Sequence, residues 1–261
     1  MKVCVLASGS KGNCTFISDG TTKLLIDAGL SCKRIETLLQ SIGESLGDIT
    51  AILVTHEHAD HIMGLRTIDK KYEIPILCNI KTATCIDVRL HINSARWYKN
   101  NFDTGFKIGN ISVLPFRTAH DAVSPVGYVF NVDGKKIAYV TDLGYVTQGV
   151  YDTVKGSELV IMESNHDLKM LTNGSYPIEL QARIKGPNGH LSNVQSAEIC
   201  LALVQAGAKH LILAHLSEEN NTPELASEVN RQMLENGGIK VGQDVTVEIA
   251  YQDHPTSIYE Y

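Results

Sequence analysis

The sequence predicts an α/β fold, a four-layer sandwich of two mixed sheets with helices outside. Strand-rich blocks separated by helical stretches occur in both halves of the chain. Asp19-Gly20 and Asp133-Gly134 lie between strand-like runs and read as hairpin turns. The element order repeats coarsely, as two similar halves would, with no repeat visible residue by residue.

Short apolar runs at Val3 to Ala7, Cys14 to Ser18 and Lys23 to Asp27 have strand length. Ile35, Leu38, Leu39 and Ile42 recur at helical spacing and predict a helix from Ser31 to Ile42, with Ser31 as N-cap. A buried strand over Thr50 to Thr55 precedes a helix from His61 to Tyr72, a strand at Ile74 to Leu77 and a helix from Thr82 to Trp97. Strands are expected at Gly105 to Ile108, Ile111 to Ala119, Val126 to Val132 and Lys136 to Thr141. A helix near Val146 to Lys155 and a strand over Glu158 to Glu163 follow. Two helix-and-strand passages remain: Val194 to Ala206 with Leu211 to Ala214, and Pro223 to Glu235 with Val245 to Ala250.

With 261 residues, 43% of them hydrophobic and 20% charged, the composition is that of a globular chain able to bury a core without disulfides. No linker-like tract or charge block divides it, so a single domain over residues 1–261 is expected. Six cysteines without a Cys-x-x-Cys pair read as reduced thiols of a cytoplasmic protein. The opening apolar run is too short for a signal peptide, and no stretch approaches the ~20 apolar residues of a membrane span, so no membrane partner is expected. A net charge of −6 argues against a broad basic surface. It leaves a nuclease open, because bound divalent cations reverse the sign around acidic ligands.

The densest chemistry is His56-Glu57-His58-Ala59-Asp60-His61, directly after the apolar run Thr50-Ala51-Ile52-Leu53-Val54-Thr55. In extended backbone alternate side chains share a side, so His56, His58 and Asp60 project together. A turn into a helix then brings His61 alongside. Imidazole and carboxylate suit zinc, iron or manganese, and an open position on such a metal activates water. Three further apolar runs end in one ligand-type residue each: His120, Asp142 and His215. Any one of them alone reads as a loop or turn residue. Together, at strand ends that converge on one sheet edge, they complete a candidate dinuclear site.

His-x-His-x-Asp-His, then His120, Asp142 and His215, preceded by Leu24-Leu25-Ile26-Asp27-Ala28-Gly29, resembles the metallo-β-lactamase superfamily. The resemblance implies an αββα sandwich. It also implies that His56, His58 and His120 bind one metal, that Asp60, His61 and His215 bind a second, and that Asp142 bridges them. Asp27 would steady the histidine loop without ligating metal. Within the superfamily, the iron redox branch generally has Glu where His58 stands. The 72 residues from Asp142 to His215 leave no room for the large inserted domain of the RNA-processing branch. The chain resembles instead the compact YycJ/WalJ (VicX-like) group, on Leu6-Ala7-Ser8-Gly9-Ser10-Lys11-Gly12-Asn13-Cys14, Glu163-Ser164-Asn165-His166-Asp167, Gly189-His190-Leu191-Ser192-Asn193 and Ala214-His215-Leu216-Ser217-Glu218-Glu219-Asn220-Asn221. That group implies 5′-to-3′ exonuclease cleavage of DNA in repair, with two divalent ions, manganese favoured and zinc or iron as alternatives.

The expected chemistry is phosphodiester hydrolysis by a metal-bridged hydroxide, oriented by Asp60. The leaving 3′ oxygen needs a proton, for which His190 is the first candidate and His166 the second. Ser8, Lys11, Asn13, Asn165, Ser192 and Asn193 are candidate phosphate or substrate contacts. Ser8, Lys11 and Asn13 equally suit a surface turn, and Ser192 or Asn193 equally suits a helix cap. Trp97 and Tyr98 either stack bases or pack a helix. Nothing reads a base sequence, so DNA would be held by phosphates and by strand or end geometry. Two other classes compete: a small-molecule ester, thioester or phosphodiester hydrolase, and a regulatory metalloprotein without catalysis.

Overall fold

Apolar strands punctuated by capped helices account for the structure, a computed structural model that describes residues 1–92, 96–100 and 104–261. The chain divides into two compact units, one of Met1–Pro115, Ala122–Val126 and Tyr251–Tyr261, the other of Phe116–Asp121 and Gly127–Ala250. The first sheet contains β1 (Lys2–Ala7), β2 (Cys14–Ser18), β3 (Lys23–Ile26), β4 (Ala51–Leu53), β5 (Ile76–Asn79), β6 (Trp97–Asn100) and β14 (Tyr259–Glu260), in the order β14-β1-β2-β3-β4-β5-β6. β1, β2 and β3 pair antiparallel, and β3 to β6 pair parallel. The second sheet contains β7 (Phe106–Ile108), β8 (Ile111–Arg117), β9 (Val126–Val132), β10 (Lys135–Val140), β11 (Leu159–Glu163), β12 (His210–Ala214) and β13 (Thr246–Ile249), ordered β13-β12-β11-β10-β9-β8-β7. Here β10 to β13 are parallel. Each sheet is therefore mixed, with one run of four parallel strands, as two similar halves require.

Helix α1 (Cys32–Ser41) starts at Ser31, whose side chain accepts from the Arg34 amide. It buries Ile35, Leu38 and Leu39 in the first unit's core, beside Ile52, Ile76 and Ile86. In the second unit, α5 (Gln148–Val154), α8 (Asn193–Gln205) and α9 (Pro223–Asn236) supply Val150, Cys200, Leu203 and Leu234 to a core with Val160, Met162 and Leu211. Both Asp-Gly hairpins form, joining β2 to β3 and β9 to β10. The six cysteines are free thiols. Among the described residues, no helix is long and apolar enough to cross a membrane.

Two helices differ from expectation. The stretch from His61 to Tyr72 is broken into α2 (Ala59–Ile62) and α3 (Leu65–Tyr72) around Gly64, where a Cβ would stand 2.3 Å from the Leu30 carbonyl oxygen. The helix expected over Thr82 to Trp97 is α4 (Ile80–Leu90), ended by His91 in the left-handed region (φ 51°). Residues 93–95 of that expectation lie outside the described ones. Trp97 instead opens β6, opposite Ile76, and its indole N–H donates to Asp87. Strand pairing outweighs the helical pattern there. Trp97 is thus core, while Tyr98 is exposed. Two short helices, α6 (Leu168–Asn173) and α7 (Ile178–Lys185), are additional.

Candidate metal centre and proton-transfer residues

In the first unit the parallel strands β3 and β4 end side by side, and their next residues form a hydrogen-bonded knot. Asp27, fully buried, accepts from the Thr55 amide at 2.8 Å and the Thr55 hydroxyl at 2.9 Å, and its Oδ2 lies 2.7 Å from His61 Nδ1. Burial pushes the Asp27 carboxyl above its ordinary pKa, against the opposing pull of His61 and Thr55. Because the Thr55 hydroxyl donates to Asp27, it accepts from His56 Nδ1 at 3.0 Å. Both imidazoles therefore carry their proton on Nδ1 and present Nε2 as the lone-pair nitrogen. The Asn13 amide agrees with this assignment: its Nδ2 lies 3.3 Å from both His61 Nε2 and Asp60 Oδ2. The rings of His58 and His61 lie 4.5 and 4.1 Å from that of His56, centre to centre.

Glycine makes this knot possible. A Cβ at Gly29 would fall 1.6 Å from the Asp60 carbonyl oxygen, and Gly29 itself donates to the Asn13 carbonyl. Asp60 belongs to the first turn of α2, so it joins the histidines through a helical turn and not through strand alternation. Glu57 points elsewhere: its Oε1 accepts from the Val123 amide.

In the second unit the hub is Glu163, at the end of β11 and fully buried. Its Oε1 lies 2.8 Å from His190 Nδ1 and 3.1 Å from His215 Nδ1, and its Oε2 accepts from the Leu191 amide at 2.9 Å. Asp142 and Leu143 donate their amides to the same carboxylate. Burial alone would raise its pKa, but His190 and His215 outweigh it and hold Glu163 well below the carboxylate range. His215 Nε2 then faces Asp142 Oδ1 at 3.4 Å. His120 donates Nδ1 to the Gly189 carbonyl at 3.1 Å, which leaves its Nε2 toward Asp142 Oδ1 at 3.9 Å. Burial lowers the His120 pKa, keeping the ring in the neutral form a metal needs. Asp142, Glu163, His190 and His215 offer ligand atoms within 4.8 Å of one another. The donor set in each unit, neutral imidazole Nε2 beside carboxylate oxygen, fits a borderline divalent cation.

Strain marks the same positions. Asp27, Asp142 and His215 follow strands β3, β10 and β12 with φ of 61°, 59° and 56°, a region non-glycine residues rarely enter. The other non-glycine residues of this kind among the described ones, Glu73, His91 and Asp133, end helices or turn a hairpin.

The other candidates are placed as follows. Ser8 and the Gly9 amide bond Asn13 Oδ1, and the exposed Lys11 is held through its amide by Gln252. Asn165 donates to the His215 carbonyl at 2.8 Å. Ser192 caps α8 in a reciprocal capping box with Gln195, and buried Asn193 joins Ser164 to Asn221. His166 is 1% exposed, neither ring nitrogen is hydrogen-bonded to any described residue, and burial pushes its pKa down to about 4. In sequence Glu163 stands only as the first residue of the polar run Glu163-Ser164-Asn165-His166-Asp167 after an apolar strand, with nothing to single it out as the hub.

The family model of the β-lactamase superfamily domain matches residues 22–216. The chain belongs to the metallo-β-lactamase superfamily. Within it, the chain falls in the YycJ/WalJ group. It is 39% identical to exodeoxyribonuclease YycJ of Bacillus anthracis, over 97% of each chain. It is 37% identical to exodeoxyribonuclease WalJ of Streptococcus pneumoniae serotype 2 strain D39, over 99% of this chain and 97% of that one. Among solved structures it is similar to the metallo-β-lactamase fold protein YhfI of Bacillus subtilis, with a TM-score of 0.72 and 15% identity over 98% of both chains. That likeness carries the metallo-β-lactamase fold, the α/β class expected from the sequence.

Proposed function

We propose that this chain is a metal-dependent phosphodiesterase that degrades DNA from 5′ to 3′, with residues 1–261 acting as one hydrolase domain. The observation that carries the reading is the near full-length similarity to two curated exodeoxyribonucleases. Supporting it, His56, His61, His120 and His215 have their Nδ1 positions engaged and Nε2 presented. His56, His58, His120, Asp60, His61, His215 and Asp142 would hold two divalent ions, with manganese favoured and zinc or iron as alternatives. When bound, such ions supply Lewis acidity at the phosphate and an activated water.

The remaining steps belong to the chain. Asp60 orients the nucleophilic water. His190 delivers a proton from Nε2 to the leaving 3′ oxygen, while Glu163 on Nδ1 fixes the tautomer and balances the imidazolium charge. His166, neutral at physiological pH, is the poorer proton donor. A role in DNA repair and a reducing, cytoplasmic setting for the free thiols follow from the same reading. 5′-labelled duplex and single-stranded DNA, assayed beside a chromogenic ester in manganese, test it. Release of mononucleotides supports the nuclease; turnover of the ester alone replaces it with a small-molecule hydrolase.

A further inference from the structure

The His166 ring is a site-edge group that the proposed chemistry leaves without a task. Burying two ring nitrogens without partners is costly, and such groups in folded proteins usually meet a ligand or water. Its backbone is pinned: the His166 carbonyl accepts from the Asn193 amide at 2.9 Å, and His166 forms a β-bridge with Ser192. It lines a half-open pocket of about 250 Å³ with Leu168, Lys185, Ser192, Val194, Gln195 and Glu198.

We propose that this pocket binds one nucleobase of the DNA substrate, next to the proton-transfer pair. Its dimensions lie just under the ~300–1,000 Å³ of sites for whole small molecules, as suits a single base and not a whole nucleotide. Leu168 and Val194, 44% and 43% exposed, offer apolar surface to a flat ring. Glu198 in the lining disfavours a bare phosphate, whereas Lys185 at the mouth suits the backbone phosphate that accompanies a base. The location follows from two tied segments. His166 lies three residues after Glu163, Ser192 lies two after His190, and the Asn165 amide donates to the Leu191 carbonyl between them.

The inference rests on the nuclease reading for the identity of its ligand. Its test is calorimetric titration of the metal-loaded protein with deoxyadenosine, dAMP and deoxyribose 5-phosphate, repeated on Val194→Trp. That substitution fills the mouth from an exposed position, and a thermal melt checks that the variant is folded. Expected are binding of deoxyadenosine and dAMP and a loss of at least tenfold in Val194→Trp. Deoxyribose 5-phosphate, which lacks the base, is expected to bind more weakly than dAMP and to be unaffected by the variant. Equal binding of dAMP and deoxyribose 5-phosphate, no binding of deoxyadenosine, or unchanged affinity in Val194→Trp overturns the proposal. Base-dependent binding in a protein that leaves DNA intact sinks the nuclease reading and keeps the pocket; DNA hydrolysis without base-dependent binding does the reverse.

Discussion

His190 Nδ1 and Glu163 Oε1 are 2.8 Å apart, the carboxylate fully buried and the imidazole partly exposed. The imidazole is partly open to solvent and the carboxylate meets only protein, so on the proposed mechanism the pair acts as a unit. Glu163→Gln is expected to lower kcat about 100-fold with little change in KM, in the range of a lost general acid. The double variant with His190→Gln should fall no further than the worse single one. Steady-state kinetics on labelled DNA decide it; additive losses would separate the two residues.

Asp27 ties His61 and Thr55 together from a strained, fully buried position. Asp27→Ala is expected to weaken metal binding by about 10–100-fold, the usual cost of losing the group that orients a ligand imidazole. Competition with a chromogenic chelator measures it. Unchanged affinity with a lowered Tm would reduce Asp27 to a purely structural role.

Gly29→Ala should be among the most damaging small substitutions, because the new Cβ would stand 1.6 Å from backbone oxygen. A loss of roughly 3 kcal/mol or more is expected. Gly149→Ala is the control: it lies in α5 with no neighbour nearer than 3.8 Å and should stabilise by up to about 1 kcal/mol. Urea unfolding of both variants reads the contrast.

Much of the site was legible because its residues end apolar runs: His56, His120, Asp142 and His215 each follow a strand that the pattern reveals. Ser31 and the two Asp-Gly turns were legible for the same local reason. Glu163 was not, since a carboxylate ending an apolar run is the same signal whether it faces water or gathers five donors. Asn13 read as a phosphate contact or a surface turn, and only the fold brings it to Asp60 and His61. Trp97 misled because its helical spacing is overridden by pairing with β5. Helices α6 and α7 span only six and eight residues and β14 two, too few for a clear periodicity.

His166 makes folding pH-dependent with a definite sign. Its folded pKa of about 4 lies below the ordinary 6.5, so the unfolded chain takes up the proton first as pH falls. The contribution to stability is full above about pH 6.5 and is lost progressively toward pH 4, by at most about 3 kcal/mol. His166→Phe should therefore gain on the parent protein as pH falls from 7.5 to 5 in urea unfolding. A constant difference across that range contradicts the buried, neutral ring.

The count of bound metal per chain tests the central claim most directly. Equilibrium dialysis against manganese, followed by elemental analysis, should give two ions for the parent protein and fewer for His58→Ala and Asp142→Asn. A parent chain that holds none, or a count unmoved by those substitutions, would contradict it.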